Sequence, residues 1–155
     1  MTALTKKIGG GIIMVLLAIQ FIRPSKNFSS DTAGPNDITT QHATSPQVKA
    51  ILSKACYDCH SDNTRYPWYA EVQPVSWWLA NHVKDGKRHL NFSQFGGYTP
   101  KRASKRIKDV IEETKSHEMP LASYTLIHRE AKLTDEEIAA LTAWAESVRA
   151  RLPAQ

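Results

Sequence analysis

The pentapeptide Cys56-Tyr57-Asp58-Cys59-His60 decides how this sequence is interpreted. Two cysteines separated by two residues and followed at once by a histidine form the attachment pattern of c-type haem. On a helical turn both thiols can reach the haem vinyl groups as thioethers, and the adjacent imidazole is aimed at the iron from the same face. The pattern therefore predicts haem c as the cofactor, with Cys56 and Cys59 binding it covalently and His60 as the proximal iron ligand.

Three other uses of this pattern compete with haem attachment. A thioredoxin-like redox pair follows a strand in a βαβ unit, whereas a helix is predicted before Cys56. Zinc takes about four ligands, and only three cluster here, so a distant histidine would have to complete such a site. A structural disulfide would leave His60 without a role.

The bulk composition suits one small domain with an additional anchor or tail. The chain has 155 residues, of which 41% are hydrophobic and 23% charged, so a buried core is feasible. Its two cysteines exclude a domain stapled by several disulfides. The net charge of +5 suits an acidic partner or a membrane surface, but it is too weak and dispersed to indicate nucleic-acid binding.

The N-terminus carries the signature of an export signal. Lys6 and Lys7 precede an apolar run over residues 8–22, which is typical of a secretory signal or signal anchor. The run is short for a membrane span of about 20 residues, but flanking cations can snorkel to lengthen it. No small-residue cleavage site follows, which favours a retained anchor over residues 1–23 and leaves a cleaved signal as the alternative.

A linker and a helical domain follow the anchor. Residues 24–44 are rich in Ser, Asn, Asp, Thr, Pro and Gly and lack periodicity, so they predict a flexible linker. The domain is expected over 45–152. No segment alternates with period two for long enough to be a strand, so the predicted fold class is all-α.

Local signals predict the helices of this domain. Ser45-Pro46 is a helix start, and the Thr134–Glu137 capping box opens the last helix. Between them, helices are expected over 75–85, ended by Gly86, and over 101–115, with irregular segments elsewhere. The helical spacing of apolar side chains predicts a core in which the first and last helices of the domain pack together. Its members are Val48, Ile51, Leu52, Ala55, Ile107, Val110, Ile111, Ile138, Leu141, Trp144, Ala145, Val148 and Leu152.

Several further segments carry a family resemblance. The Cys-Tyr-Asp-Cys-His core is followed by Tyr66-Pro67-Trp68-Tyr69, Pro74-Val75-Ser76-Trp77-Trp78, Leu90-Asn91-Phe92, Glu118-Met119-Pro120 and Tyr124. Together they resemble the bacterial haem-binding domain family over residues 45–152. The resemblance implies a small, membrane-anchored helical domain similar to class I cytochrome c. It implies haem binding but no defined physiological reaction.

The second axial ligand of the iron has several candidates. Met119 is the only methionine outside the N-terminal segment. It lies in an irregular stretch before the last helix, as the methionine ligand does in the class I cytochromes c that this arrangement resembles. His82 is the alternative, because it shares a helix with Trp77 and Trp78. The remaining histidines with a weaker claim are His89, His117 and His128.

Two clusters of side chains have either a supporting or a purely structural role. One is aromatic and would wall the haem or pack in the core: Tyr66, Trp68, Tyr69, Trp77 and Trp78. A carbonyl near Pro67 or Pro74 is expected to accept from the His60 ring N–H. The other cluster is a basic helix face that would dock an acidic partner, lie on anionic lipid, or simply be solvated: Lys101, Arg102, Lys105, Arg106 and Lys108.

The predicted function follows from the motif and the anchor together. Bacterial haem c is attached outside the cytoplasmic membrane, so the domain is expected in the periplasm on a single-pass inner-membrane anchor. The first hypothesis is a one-electron carrier that serves an unidentified redox partner protein. The alternatives are a haem-dependent enzyme or ligand sensor with a labile distal ligand (peroxidase-like or gas-binding) and a haem subunit of a larger membrane complex. No catalytic side chain is predicted.

Overall fold

The computed structural model describes residues 2–29 and 33–153, and the regular elements in these ranges are all helical. The α-helices are α1 (Ala3–Ile19), α2 (Ile38–Gln41), α3 (Pro46–Ala55), α4 (Tyr57–His60), α5 (Val75–His89), α6 (Pro100–Lys115), α7 (Ala122–Thr125) and α8 (Asp135–Arg151). Short 3-10 helices cover Trp68–Glu71, Phe92–Gly97 and Arg129–Ala131. No strand occurs in the described ranges, and the all-α prediction is confirmed.

The caps of α3 and α8 form as their sequences predict. The Ser45 hydroxyl accepts from the Val48 N–H at 3.2 Å. In the capping box of α8, Thr134 Oγ1 accepts from the Glu137 N–H at 3.2 Å, and Glu137 Oε2 accepts from the Thr134 N–H at 3.0 Å. The Lys54 ammonium then pairs with Glu137 at 2.7 Å. These caps begin two helices that pack against each other, as predicted.

The core lies where α3 and α6 pack on α8. Every apolar residue predicted for this core is either buried there or packed against it. Side chains from segments predicted as linker or loop complete it, namely Ile38, Leu90, Phe92 and Phe95. Segments without helical periodicity in their sequence therefore contribute part of the core.

Gly86 lies inside α5 and does not end it. The prediction that the helix stops at Gly86 is wrong, because α5 continues to His89. A Cβ at position 86 would stand 2.5 Å from the carbonyl oxygen of Cys59. Glycine is required here because it lets α4 lie close against α5.

The segment that follows α1 is hydrogen-bonded to the domain. Gln73 N–H donates to Gln20 Oε1 at 2.9 Å, and Gln20 Nε2 donates back to the Gln73 carbonyl at 3.3 Å. The Trp77 indole N–H donates to the Ile22 carbonyl at 2.9 Å. Arg23 pairs with Glu71 at 2.7 Å. The residues that directly follow α1 are therefore bonded to the domain.

Residues 33–44 also differ from the predicted linker. Asp37 and Ile38 are fully buried. The Asp37 carboxylate caps α2 by accepting from the Thr39 N–H at 2.9 Å, and it accepts from the Tyr57 hydroxyl at 3.2 Å. In the described parts of the predicted linker, residues 24–29 and 33–44, polar side chains such as Asn27 and Asp37 therefore make specific contacts with the domain.

Helix α1 carries an unpaired apolar surface. It has 17 residues and none of them is buried. Its large apolar side chains are exposed, including Ile12, Ile13 and Met14. Within residues 2–29 and 33–153, no helix has both the length and the apolar character required to cross a membrane.

We expect Gly86→Ala to destabilise the protein. At an exposed position inside a helix, changing Gly to Ala stabilises the protein by up to about 1 kcal/mol. At position 86, however, the added methyl group would clash with the Cys59 carbonyl. Overpacking of this kind costs about 1–3 kcal/mol, so urea unfolding of the full chain should show a lower midpoint. Gly97→Ala is the matched control, because a Cβ there has no neighbour within 4 Å. A variant at position 86 as stable as the wild type would contradict this packing role.

Candidate functional site

A cavity of about 520 Å³ lies between α4, α5 and α6 and is closed by residues 119–121 and Leu133. All the side chains predicted to attach or ligate haem line it, namely Cys56, Cys59, His60, Met119 and the alternative His82. Apolar walls are supplied by Ala55, Leu90, Phe92, Val110, Leu121 and Leu133. The volume is in the range of about 300–1,000 Å³ that holds small molecules and cofactors.

The two cysteines lie at the junction of α3 and α4. Cys56 ends α3, and its carbonyl accepts from the N–H groups of Cys59 at 3.2 Å and His60 at 2.9 Å. This turn brings both thiols and the imidazole to one cavity. The thiols are free, and burial raises the pKa of Cys56 to about 12 and that of Cys59 to about 11. Both are therefore protonated thiols at neutral pH.

The His60 ring is oriented by a backbone carbonyl of the loop after α5. Its Nδ1 lies 3.0 Å from the Leu90 oxygen. Because a carbonyl only accepts, Nδ1 carries the proton and Nε2 keeps its lone pair for a metal. Burial lowers the pKa of His60, which favours this neutral ligand form. The expectation of a carbonyl near Pro67 or Pro74 is wrong, since Leu90 provides it.

Met119 lies on the cavity lining, beyond the end of α6. Its N–H donates to the Glu113 carbonyl at 3.0 Å, which holds the chain against the last turn of α6. Its side chain is partly buried. The thioether, the imidazole and the thiols thus line one cavity.

The other histidines divide between the cavity and the outer surface. His82 and His89 line the cavity. His82 Nδ1 lies 3.0 Å from the Trp78 carbonyl, so its Nε2 is also available for a metal. His117 and His128 are absent from the lining of this cavity. His128 instead stacks on Tyr124, with ring centroids 4.5 Å apart.

The buried Asp58 carboxylate, for which the sequence pattern predicts no role, holds the chain around the pentapeptide. Asp58 Oδ1 accepts from the backbone and side-chain N–H groups of Arg65 at 3.1 and 3.0 Å. Its Oδ2 accepts from Arg65 Nη2 at 3.0 Å and from the Tyr124 hydroxyl at 2.6 Å. Burial and this carboxylate together raise the pKa of Tyr124. An acidic residue between the two cysteines was the only sequence signal for this network.

Asn27 is hydrogen-bonded to the loop that follows His60. Its side-chain amide donates to the Ser61 carbonyl and to Thr64 Oγ1, each at 2.9 Å. Its backbone N–H donates to the Tyr66 hydroxyl at 2.7 Å. Lys87 Nζ donates to Asn27 Oδ1 at 2.5 Å, so the N-terminal segment, this loop and α5 meet at one asparagine.

The aromatic side chains predicted to wall the haem are not on the cavity lining. Trp77 binds the Ile22 carbonyl, and Tyr69 binds His128 at 2.5 Å. The Trp78 and His82 ring centroids lie 4.2 Å apart, with the rings tilted by 49°. The phenyl and phenol rings on the cavity lining are Phe92 and Tyr124. The aromatic cluster therefore does not form the cavity wall, and Trp78 lies beside the cavity residue His82.

Part of the basic face of α6 turns into the cavity. Lys105 and Arg106 line it, whereas Lys101, Arg102 and Lys108 do not. Arg102 instead lies over the Tyr98 ring at 4.0 Å.

The described residues contain no group of three or more His, Cys, Asp and Glu side chains that could hold a metal ion.

The family model described as Haem-binding domain matches residues 14–147, which is most of the chain. The match begins inside α1 and ends inside α8, so it contains every side chain of the cavity. No curated protein and no solved structure matches the chain.

The bond between Asp58 and Tyr124 can be tested by a double-mutant cycle. We expect Tyr124→Phe to lower the free energy of unfolding by about 1.5–3 kcal/mol, the range for a hydrogen bond to a charged group. In an Asp58→Asn background the same change should cost less, because the acceptor has lost its charge. Urea unfolding followed by circular dichroism measures all corners of the cycle. Equal costs in both backgrounds would show that the two groups do not interact.

Proposed function

The chain belongs to the haem-binding domain family, and on this premise we propose that it attaches haem covalently through Cys56 and Cys59 and transfers single electrons. In this proposal His60 is the proximal iron ligand and Met119 the distal one. The observation that carries it is the shared cavity, which is lined by two thiols and an imidazole from the turn at α4 and by a thioether from the segment after α6.

The donor set fits haem c. Cys56 and Cys59 are free, protonated thiols, and each can add across a vinyl group without an external oxidant. Cys56 and Cys59 would then hold the haem as thioethers, and each addition would keep the thiol proton in the product. His60 presents a neutral nitrogen because Leu90 holds the opposite one. The apolar side chains of the cavity wall would face the rest of the ring system.

The choice of distal ligand determines the type of reaction. When bound, the haem supplies one-electron oxidation and reduction. A thioether from Met119 would raise the reduction potential and would fill the position that a small ligand needs, which favours electron transfer over activation of oxygen or peroxide. His82 is the competing ligand, since it lines the same cavity and its Nε2 is available.

The exposed part of the basic face suits a redox partner protein. Lys101, Arg102 and Lys108 stand on the same helix as the cavity residues Lys105 and Arg106. Positive charge beside a redox centre steers an acidic partner to it and raises the association rate. We therefore propose an acidic protein as the electron donor or acceptor, docked near α6.

We further propose that α1 anchors the domain to the outer face of the bacterial inner membrane. The support is its continuous exposed apolar surface, preceded by Lys6 and Lys7. Contiguous apolar surface of this kind marks an interaction with lipid or with another chain.

Membrane fractionation tests the anchor. After alkaline carbonate extraction, the wild type should remain in the membrane pellet, and an Ile12→Asp, Ile13→Asp variant should be released, because charge at these positions opposes insertion. In spheroplasts, protease should reach the haem domain from outside. Release of the wild type by carbonate, or protection of the domain in spheroplasts, would contradict the proposal.

Spectroscopy of three proteins tests haem attachment and the distal ligand. The wild type, Met119→Ala and His82→Ala are produced in cells that possess a haem-attachment system. Haem that stays with the polypeptide in a denaturing gel supports the thioether bonds, and its absence overturns the proposal. The oxidised wild type should show the weak long-wavelength band of iron–sulfur coordination. Met119→Ala should lose this band, have a lower reduction potential and bind carbon monoxide when reduced.

The His82→Ala protein is the matched control. It changes another cavity side chain and should leave the band and the potential of the wild type in place. Loss of the wild-type spectrum in His82→Ala but not in Met119→Ala would assign the distal ligand to His82. Ready carbon monoxide binding by the wild type would favour a ligand sensor or an enzyme instead of a carrier.

A further inference from the structure

Arg106 is a largely buried cation whose hydrogen-bonding capacity is only partly used. Its side chain is 24% exposed and lines the cavity. Its Nη1 donates to Asp109 Oδ2 at 2.9 Å. Its Nε is buried and has no partner among the described residues. A buried N–H without an acceptor is unfavourable, and it shows that the described residues do not use all the donors of this guanidinium.

The missing acceptor is best supplied by a carboxylate. A guanidinium presents its N–H donors as a planar fork that matches a carboxylate with two parallel bonds. Asp109 uses the Nη1 side of this fork, and its pairing on the same helix holds the side chain in position. Arg106 lines the cavity and Asp109 takes only one side of its guanidinium, so the side chain keeps N–H donors for a charge-assisted bond to an anion there.

The protein's own acidic groups on the cavity wall do not fill this role. Asp58 is bound by Arg65 and Tyr124, and Asp85 pairs with Arg88 at 3.1 Å. Asp109 already engages Arg106 through another nitrogen. Glu113 also lines the cavity, and among the described residues Arg106 is paired with Asp109 and not with Glu113. The acidic groups of the cavity wall thus leave part of the Arg106 guanidinium for a carboxylate of the occupant.

A second cation stands beside Arg106. Lys105 also lines the cavity, and within the described residues no ion pair is seen for it. Haem offers two propionate carboxylates on one edge, away from the vinyl groups that the cysteines use. A cavity with thiols at α4 and cations on α6 thus matches both ends of that ring system.

We propose that Arg106, assisted by Lys105, binds the propionate carboxylates of haem and thereby sets which way round the ring lies in the cavity. This inference rests on the proposed haem binding. Arg106 and Lys105 would then bind the cofactor, although the sequence alone is equally compatible with a basic helix face that only contacts solvent.

The test compares haem with its dimethyl ester, which has the same ring and iron but no carboxylate charge. The full chain is purified as apoprotein from cells without a haem-attachment system. Binding of each compound is followed by absorbance titration for the wild type, Arg106→Leu, Arg106→Lys and Lys108→Leu. The last is the matched control, because Lys108 also forms an ion pair on α6 but does not line the cavity.

The wild type should bind haem more tightly than the ester by on the order of ten-fold, as one charge-assisted bond gives. Arg106→Leu should lose this preference by weakening haem binding alone, and Arg106→Lys should keep part of it. Lys108→Leu should behave as the wild type. If Arg106→Leu does not fold, the loss of preference is read from Arg106→Gln, which keeps most of the side-chain length but lacks the charge, and Arg106→Lys should still keep part of the preference.

Two other outcomes would overturn the proposal in different ways. Equal weakening of haem and ester binding by Arg106→Leu, or no preference in the wild type, would limit Arg106 to a structural role while haem binding stands. A wild type that binds neither compound would remove the proposed haem function itself, and this inference with it.

Discussion

The close packing of α4 on α5 is the constraint on which the geometry of the site depends. The Cys59 carbonyl occupies the space that a side chain at position 86 would need, so the pentapeptide lies directly on α5. At that separation the Leu90 carbonyl is within hydrogen-bonding distance of His60 Nδ1. The tautomer and direction of the imidazole therefore follow from a backbone contact between two helices, and any metal bound to it inherits that direction.

Buried polar groups hold the chain around this contact. Asp58 and Asp37 are carboxylates within the fold, and burial of a charge is costly unless hydrogen bonds replace the lost water. Each has these bonds: Asp58 from Arg65 and Tyr124, and Asp37 from Thr39 and Tyr57. Such bonds are directional, so they specify one conformation of the loops on both sides of the pentapeptide. The apolar core stabilises the fold without selecting that loop geometry.

The sequence predicts those features that depend on neighbours along the chain. The caps at Ser45 and Thr134 and the helical spacing in α6 and α8 are local signals, and the structure reproduces them. What it did not predict depends on partners far apart in sequence. Gly86 resembles a helix stop until Cys59 is placed beside it, and Ile38 resembles part of a tether until the core beneath it is known. The cavity collects the predicted ligands, but the unpartnered nitrogen of Arg106 is visible only in three dimensions.

The attachment of residues 20–27 to the domain has a consequence for how electrons would be exchanged. A free linker over 24–44 would have an end-to-end distance of about 25 Å and let the domain sweep a wide volume. Here Gln20 is already bonded to Gln73, and Asn27 to the loop beside the pentapeptide. The described residues after α1 are therefore bonded to the domain and do not form a free tether. If the chain is anchored and carries electrons as proposed, encounters would depend on the diffusion and orientation of the partner, and the domain would not search for it.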